Sequence, residues 1–229
     1  MTCKIANVRG GAKKDVLSKK FNILIGISLG NKFFTENNLE EYILWALENT
    51  KKRVLIWIAD KIHAVNYEVK NKQSRENSLK RAFKEGDRFF RVINEITERL
   101  PEERRKLVKI VRKGDLENSE EYKKRRSFFY KKFKEDRQFR KEVFNIVRST
   151  ISLDFHEFEI EKLSEYVLDE LPIVLCSFIY DKTEYSCHPY PVNTKISEFA
   201  EKIQNKEIFP EISVELKFKN MVCVQLVIV

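Results

Sequence analysis

The chain has 229 residues, a formal net charge of +9 and 42% hydrophobic residues, and it includes 17 Phe and 8 Tyr. Its length fits one large domain or two small ones, and its apolar content excludes wholesale disorder. No apolar stretch approaches the roughly 18 residues of a membrane-spanning helix, and residues 1–20 lack the apolar segment of a secretory signal. We therefore expect no membrane partner.

The excess positive charge lies in the middle of the chain. Residues 72–148 hold 25 basic and 14 acidic side chains, whereas residues 149–229 carry a net charge of −7 and contain no Arg. A segregated basic block is typical of a protein that binds a polyanion, because Lys and Arg displace counterions from phosphates. A pair of solvated, salt-bridged helices is the alternative interpretation.

The first elements along the chain predict a parallel sheet. Residues 1–20 are expected to form a poorly ordered or peripheral segment. Residues 21–27 and 54–58 are continuous apolar runs, which are typical of buried strands, and residues 38–50 between them show a helical pattern. This order predicts a right-handed strand–helix–strand unit.

A long helical block is predicted over residues 74–148, with breaks at residues 100–101 and 113–118. Near its start, four cations recur at intervals of 3, 4 and 3 residues and therefore share one helix face; they are Arg81, Lys84, Arg88 and Arg91. The apolar residues expected on the opposite face are Leu79, Phe83, Phe90 and Ile93. The spacing of the cations indicates a surface for a phosphate backbone.

The end of this block, residues 120–148, is still denser in cations, among them Arg125 and Arg126. Phe129 and Phe133 are four residues apart and therefore share one helix face. We expect these rings to pack in the core, although aromatic rings among cations can also stack on bases.

The last third of the chain continues the alternation of helices and strands. A helix is predicted over residues 156–171, ended by Pro172, and is followed by a buried strand at residues 173–180 and a helix at residues 196–204. Two further strands are expected at residues 214–218 and 221–229. The pattern predicts an α/β fold, a single Rossmann-like domain over residues 1–229 with a mainly parallel central sheet and long basic helices.

The sequence lacks the common cofactor and metal motifs. Its four Cys and three His are scattered, without the close spacing of a zinc site. It has no phosphate-binding P-loop, no dinucleotide-binding glycine fingerprint and no G-x-S-x-G hydrolase elbow. We expect free thiols in a reducing cytoplasm, no metal and no cofactor.

Ser28 follows the first predicted strand and lies between Gly26 and Gly30. Ligands of open α/β sheets bind beyond the carboxyl ends of the strands, and small neighbours let a substrate carbonyl approach the hydroxyl. Ser28 is therefore a candidate nucleophile, with a serine that caps the following turn as the alternative.

Three short motifs follow one another in a recognisable order. They are Gly26-Ile27-Ser28-Leu29-Gly30-Asn31, Tyr166-Val167-Leu168-Asp169-Glu170-Leu171-Pro172 and His188-Pro189-Tyr190-Pro191, with the basic helices between the first and the second. Over about residues 22–192 this arrangement resembles the cyclodipeptide synthase family, whose members resemble class I aminoacyl-tRNA synthetase catalytic domains. No H-x-G-H or K-M-S-K-S motif accompanies it, which argues against ATP-dependent activation of amino acids.

The resemblance implies a role for each catalytic candidate. Ser28 matches the nucleophile that takes the first aminoacyl group. Tyr166 and Glu170 match the pair that holds the aminoacyl amine and handles its proton, and Tyr190 matches a further tyrosine near the active site. Asn31 resembles one branch of the family, whereas Tyr190-Pro191 resembles the other.

Helical spacing supports the pair on chemical grounds. Tyr166 and Glu170 are four residues apart in the predicted helix, so their side chains emerge on one face and could grip an amine at two points. A surface Glu beside a half-buried Tyr is the alternative. The substrate pocket is expected at Leu24, Gly26, Asn31 and Ile173, and its apolar members predict hydrophobic aminoacyl groups.

The implied enzyme transfers aminoacyl groups from two aminoacyl-tRNAs, through an acyl-serine and a dipeptidyl-serine, to a cyclic dipeptide. The four cations of residues 81–91, together with Arg125 and Arg126, would hold the tRNA acceptor arm. We expect a cytoplasmic monomer that does not bind DNA. The alternatives are a non-catalytic RNA-binding module and a transferase that passes the aminoacyl group to another acceptor.

Overall fold

The computed structural model describes residues 2–151 and 155–229. Its central strands are β1 (Cys3–Arg9), β2 (Ile23–Ile27), β3 (Val54–Ile58), β4 (Val108–Arg112), β7 (Cys187–Tyr190) and β8 (Val222–Ile228). They form one sheet in the order β1-β8-β7-β2-β3-β4. Two short strands, β5 (Phe178–Tyr180) and β6 (Thr183–Tyr185), form a separate antiparallel hairpin.

The strands from β8 to β4 run parallel to their neighbours, and β1 pairs antiparallel with β8 at one edge. The N-terminal segment thus contributes the edge strand β1. The predicted α/β, Rossmann-like fold with a mainly parallel sheet is confirmed. Within the described residues, no helix is both long enough and apolar enough to cross a membrane.

Helices cover both faces of the sheet. They are α1 (Lys13–Leu17), α2 (Glu36–Asn49), α3 (Asp60–Lys70), α4 (Arg75–Glu98), α5 (Glu102–Arg105), α6 (Lys113–Leu116), α7 (Glu120–Glu135), α8 (Arg137–Ser149), α9 (Glu157–Val174), α10 (Lys195–Gln204) and α11 (Pro210–Leu216). Five begin at a side-chain oxygen that accepts a backbone N–H of the first turn, which stabilises a helix start; these caps are Thr35, Ser74, Ser119, Asp136 and Thr194.

The central strands β2 and β3 are buried along their whole length. Successive side chains of a strand point to opposite faces, so Ile23, Ile25 and Ile27 enter one apolar cluster while Leu24 enters another with Trp57. The sheet is therefore packed on both sides, and its functional groups can lie only at its ends.

Residues 108–112 were expected to be helical and instead form the edge strand β4. Val108 pairs with Val54 and Ile110 with Ile56, in parallel with β3. Its β-branched residues favour a strand, whereas the many charges on either side of it suggested one continuous helical block. The prediction of helix here was wrong.

The expected end of α9 at Pro172 is also wrong. A proline removes one N–H donor but leaves its own carbonyl, and the Pro172 carbonyl accepts a bond from Arg125 Nη1 at 3.3 Å. The helix continues to Val174. Residues 173–180 therefore form no strand of the central sheet. The strand that lies beside β2, opposite β3, is β7.

Residues 214–218 were expected to form a strand, but α11 extends to Leu216. Pro210 is its first residue, a position where the fixed φ of proline favours a helix. Lys217 ends it with a positive φ of 46°. The prediction failed because the helix start at Pro210 was not recognised.

The face of α4 that packs in the core differs from the expected one. Phe83 and Phe90 are 41% and 38% exposed, and the buried face is formed by Ser78, Ala82, Gly86, Phe89, Ile93 and Ile96. Gly86 permits this contact, because a Cβ there would lie 2.8 Å from the Asp60 side chain. By contrast, Phe129 and Phe133 on α7 are buried as predicted.

Candidate active site

The carboxyl end of β2 carries the candidate nucleophile. Ser28 follows Ile27 directly, and Gly30 closes the turn with a φ of +80°, a value that favours glycine. The Asn31 N–H donates to the Ser28 carbonyl at 3.3 Å. Ser28 Oγ lies 3.1 Å from the hydroxyl of Tyr166 on α9, so these two motifs meet in space.

Tyr166 and Glu170 occupy one face of α9, as their spacing predicts. Both line a cavity of about 570 Å³ together with Ser28. Burial raises the pKa of Glu170 to about 7. This side chain can therefore accept or release a proton near neutral pH. Burial also raises the pKa of Tyr166 well above its usual range, so its hydroxyl stays protonated.

Tyr190 and Asn31 join the same cavity from the end of β7 and the turn after β2. Asn31 Nδ2 donates to the Tyr190 hydroxyl at 3.1 Å. Asn31 Oδ1 accepts the Phe33 N–H at 3.0 Å, which fixes the amide in the turn. Burial, followed by the nearby Glu170 carboxylate, raises the pKa of Tyr190 to about 12.

Three expected pocket residues lie beneath the cavity rather than in its wall. Leu24 and Ile173 are completely buried in the apolar cluster with Trp57. A Cβ on Gly26 would lie 2.9 Å from His188 Nε2, so glycine is needed there to make room for this ring. These residues therefore support the site from the core, in correction of their expected contact with substrate.

A further wall of the cavity was missed by the sequence analysis. Along α3, His63 and the side chains 3, 4 and 7 residues after it line the cavity; these are Asn66, Tyr67 and Lys70. The signal was present in the sequence, because the intervening Ile62, Val65 and Val69 are apolar and buried. Such alternation is typical of an amphipathic helix, but its polar side faces a cavity instead of bulk solvent.

The cations of α4 are exposed, as expected for a surface that binds a polyanion. Arg81 forms an ion pair with Glu85 at 3.4 Å, and its guanidinium lies 4.1 Å from the ring centroid of Tyr67. Within the described part of the chain, Lys84, Arg88 and Arg91 form no ion pair.

The two candidate arginines of α7 differ from most of the α4 cations in that both form ion pairs with acidic residues at short range. Arg125 is only 6% exposed; it donates to the Ser177 carbonyl at 2.8 Å and pairs with Glu121. Arg126 Nε donates to Asp169 Oδ1 on α9 at 2.5 Å. The expected contact of Arg125 with RNA is corrected, because this residue is internal. Arg126 joins α7 to α9 but its side chain is 41% exposed, so its contact with RNA stays a prediction.

The arrangement can carry out acyl transfer. It combines a serine hydroxyl, a tyrosine hydroxyl at hydrogen-bond distance and a carboxyl group that titrates near neutral pH in one cavity. Within residues 2–151 and 155–229, no His or Lys donates to Ser28. The same ranges hold no cluster of three or more His, Cys, Asp or Glu side chains placed to bind a metal ion.

Comparison with solved structures identifies the fold. A cyclodipeptide synthase from Bacillus thermoamylovorans superposes with a TM-score of 0.76 at 22% identity, covering 94% of this chain and 92% of that one. A Mycobacterium tuberculosis protein, described as showing that cyclodipeptide synthetases are related to type I tRNA synthetases, gives a TM-score of 0.75 at 18% identity, with 96% and 91% coverage.

A cyclodipeptide synthase from Fluoribacter dumoffii covers 99% of this chain and 98% of its own, with a TM-score of 0.73 and 16% identity. Among curated protein sequences, none matches significantly. The sequence model described as "Cyclodipeptide synthase" matches residues 10–209, which is most of the chain. The chain therefore belongs to the cyclodipeptide synthase family.

Proposed function

We propose that this protein joins two aminoacyl groups, delivered by two aminoacyl-tRNAs, into a cyclic dipeptide. In the first step, Ser28 Oγ attacks the ester carbonyl of one aminoacyl-tRNA. The ester bond to the ribose breaks, the serine proton passes to the ribose oxygen, and the aminoacyl group remains on Ser28 as an ester. One ester replaces another, so the step needs no ATP.

In the second step, the amine of the acyl-serine attacks the ester of the second aminoacyl-tRNA. A peptide bond forms, the second tRNA leaves, and a dipeptidyl-serine remains. The free amine of this dipeptide then attacks the Ser28 ester, which closes the ring and returns the proton to Ser28. Each attacking amine must be neutral, and a free α-amino group titrates at about 7.7–8.0.

Glu170 and Tyr166 are proposed to hold and deprotonate this amine. The carboxylate of Glu170 accepts a proton from the ammonium, and the protonated hydroxyl of Tyr166 lies between that helix face and Ser28. A raised pKa supports the assignment, because a base near pH 7 can both take and release the proton within one cycle.

The lining of the cavity favours hydrophobic aminoacyl groups as substrates. The residues that form its apolar part are not the ones expected from the sequence. Its apolar side chains come from α8, α9, α10 and the segment after α8; they are Ile146, Val147, Ile151, Leu163, Val167 and Ile196. Burying an apolar side chain there is favourable by about 25 cal/mol per Å². We therefore assign hydrophobic substrates to these side chains rather than to Leu24 and Ile173.

The acceptor arm of each tRNA is proposed to lie along Lys84, Arg88 and Arg91 on α4. Such contacts hold the phosphates without reading sequence. We propose that the enzyme acts as a monomer. Charged tRNA is a cytoplasmic substrate, so we place the enzyme there.

The observation that carries this proposal is the contact between the Ser28 and Tyr166 hydroxyls at hydrogen-bond distance, in the cavity that Glu170 also lines. Mass spectrometry of the products formed from purified protein and charged tRNAs tests it. A cyclic dipeptide is expected. A linear product would indicate transfer to another acceptor, and salt-sensitive tRNA binding without any product would indicate a binding module.

A further inference from the structure

The polar stripe of α3, His63, Asn66 and Lys70, has no part in the acyl transfer, although it lines the same cavity. It begins close to the nucleophile, since a Cβ on Gly30 would lie 3.5 Å from His63 Nε2. It ends at Lys70, the last residue of the helix. At a rise of 1.5 Å per residue, the stripe is about 10 Å long.

The imidazole of His63 is a neutral hydrogen-bonding group. Burial lowers its pKa to about 4, and the nearby cations Lys70 and Arg81 contribute in the same direction. Asn66 Nδ2 lies 3.4 Å from His63 Nδ1, an arrangement that favours the tautomer with the ring proton on Nε2. The Nε2–H group is therefore the donor on the side of the Ser28 turn.

Lys70 supplies a positive charge at the other end of the stripe. It forms no ion pair with any residue that the structure describes, and burial lowers its pKa. An ammonium group beside a cavity, with no acidic neighbour to neutralise it, favours an anionic ligand. The opposite wall of the cavity, on α8, α9 and α10, carries a group of apolar side chains beside the polar Tyr166, Glu170 and Lys195. Its apolar part and the polar stripe of α3 therefore suit chemically different parts of one substrate.

We propose that this stripe binds the 3′-terminal nucleotide of the aminoacyl-tRNA, with His63 donating to the terminal ribose and Lys70 contacting the terminal phosphate. The inference rests on the proposed function, since it assumes an aminoacyl-tRNA substrate. The aminoacyl group then extends from the ribose past Ser28 to the apolar part of the opposite wall. His63 and Lys70 are substrate-binding residues in this arrangement, and neither transfers a proton.

Single-turnover acylation of Ser28 by aminoacyl-tRNA tests the phosphate contact. Lys70→Met is expected to raise the enzyme concentration for half-maximal rate about tenfold, as for loss of one charge-assisted hydrogen bond. It should also reduce the slope of log affinity against log salt by about 0.7. Lys72→Met is the matched control, because Lys72 is exposed and lies outside the cavity wall.

A substrate change tests the ribose contact without relying on a variant. With the wild-type protein, aminoacyl-tRNA ending in 2′-deoxyadenosine should bind about tenfold more weakly than the ribo form. The His63→Phe variant should bind the ribo and the deoxy substrate with equal affinity. That affinity should match the weak affinity of the wild-type protein for the deoxy substrate. Circular dichroism confirms the folding of each variant.

The possible results separate the inference from the proposed function. If Lys70→Met matches Lys72→Met, or the wild type binds both terminal nucleosides equally, the nucleotide site is wrong while acyl transfer stands. If the wild-type protein forms no acyl-enzyme from charged tRNA, the proposed function itself fails.

Discussion

The hydroxyl oxygens of Ser28 and Tyr166 lie 3.1 Å apart, although 138 residues separate them in sequence. The contact joins the turn after β2 to the cavity face of α9. It places the proposed nucleophile beside one of the two residues proposed to hold the amine. The proposed acylation of the serine and the proposed attack by the amine would therefore occur at one place in the fold.

Substitutions that remove either hydroxyl distinguish the nucleophile from the residue that holds the amine. Ser28→Ala should abolish cyclic dipeptide formation, because no acyl-enzyme can form. Tyr166→Phe keeps the ring and should lower the initial rate roughly ten- to hundredfold, through loss of its hydrogen bonds. Liquid chromatography with mass detection measures both rates. Ser18→Ala is the control, since Ser18 is exposed at the end of α1, and product at the wild-type rate from Ser28→Ala would exclude the covalent route.

Glu170 should control the pH dependence of the reaction. Burial raises its pKa to about 7, so the carboxylate that accepts the amine proton is lost as the pH falls below that value. We expect kcat/KM to fall about tenfold per pH unit as the pH drops below 7. Glu170→Gln should lower the rate by about 10²–10⁴-fold and remove this ionisation from the profile. A wild-type profile that is flat between pH 5.5 and 8 would contradict the assignment.

The same raised pKa has a consequence for stability. Between pH 4.5, the usual pKa of a glutamate, and about pH 7, the folded state keeps a proton on Glu170 that the unfolded state releases. The contribution of this group to stability is therefore largest below pH 4.5 and is lost as the pH rises through 7. Glu170→Gln should raise the Tm of the protein at pH 8 relative to wild type, and by much less at pH 5. If thermal unfolding shows that Glu170→Gln shifts the Tm equally at pH 5 and pH 8, the pKa of Glu170 is not raised by burial.

The bond from Asn31 to Tyr190 should couple these two residues. Asn31→Ala and Tyr190→Phe each remove it, so each is expected to lower product formation several-fold through loss of one hydrogen bond. The double variant should lose little more than the worse single variant, because the second change removes a bond that is already broken. A double-mutant cycle of kcat/KM measures this coupling. Full additivity would show that the two side chains act independently.

Arginines of α4 and α7 should respond in different ways to substitution. Arg88→Ala removes an exposed cation and should weaken tRNA binding and its salt dependence while leaving Tm within about 1 °C, as for most surface changes. Arg125→Ala removes a buried guanidinium that pairs with Glu121 and should lower the stability by about 3–5 kcal/mol. Filter binding and thermal unfolding distinguish the two. If both variants bind tRNA more weakly with unchanged Tm, then Arg125 must be accessible in solution.

The fold could be predicted from local patterns wherever one pattern dominated. The continuous apolar runs of β2 and β3 indicated a buried parallel pair of strands. The family resemblance of the three motifs implied that Ser28 and Tyr166 belong to one active site. The short strand β4 could not be recognised, because it lies between charged helical segments and gains its stability from pairing with β3. Likewise, α9 continues past Pro172 because tertiary contacts satisfy its end.

The chemistry of the site was harder to predict than its location. Arg88 and Arg125 look alike as residues in a basic sequence, and only packing separates an exposed cation from an internal one. The role of Leu24 was misjudged for a similar reason, since a strand residue next to a nucleophile loop can point into the core. The α3 wall was missed because a polar helix face gives no sign of whether it meets solvent or a cavity.

Acylation of Ser28 is measured most directly as the mass of the peptide that contains it, after the enzyme has been mixed with charged tRNA and quenched in acid. We predict that this peptide gains the mass of one aminoacyl residue, then transiently of two, and that neither species forms in Ser28→Ala. Release of cyclic dipeptide while the peptide keeps its unmodified mass at every quench time would contradict the proposed mechanism.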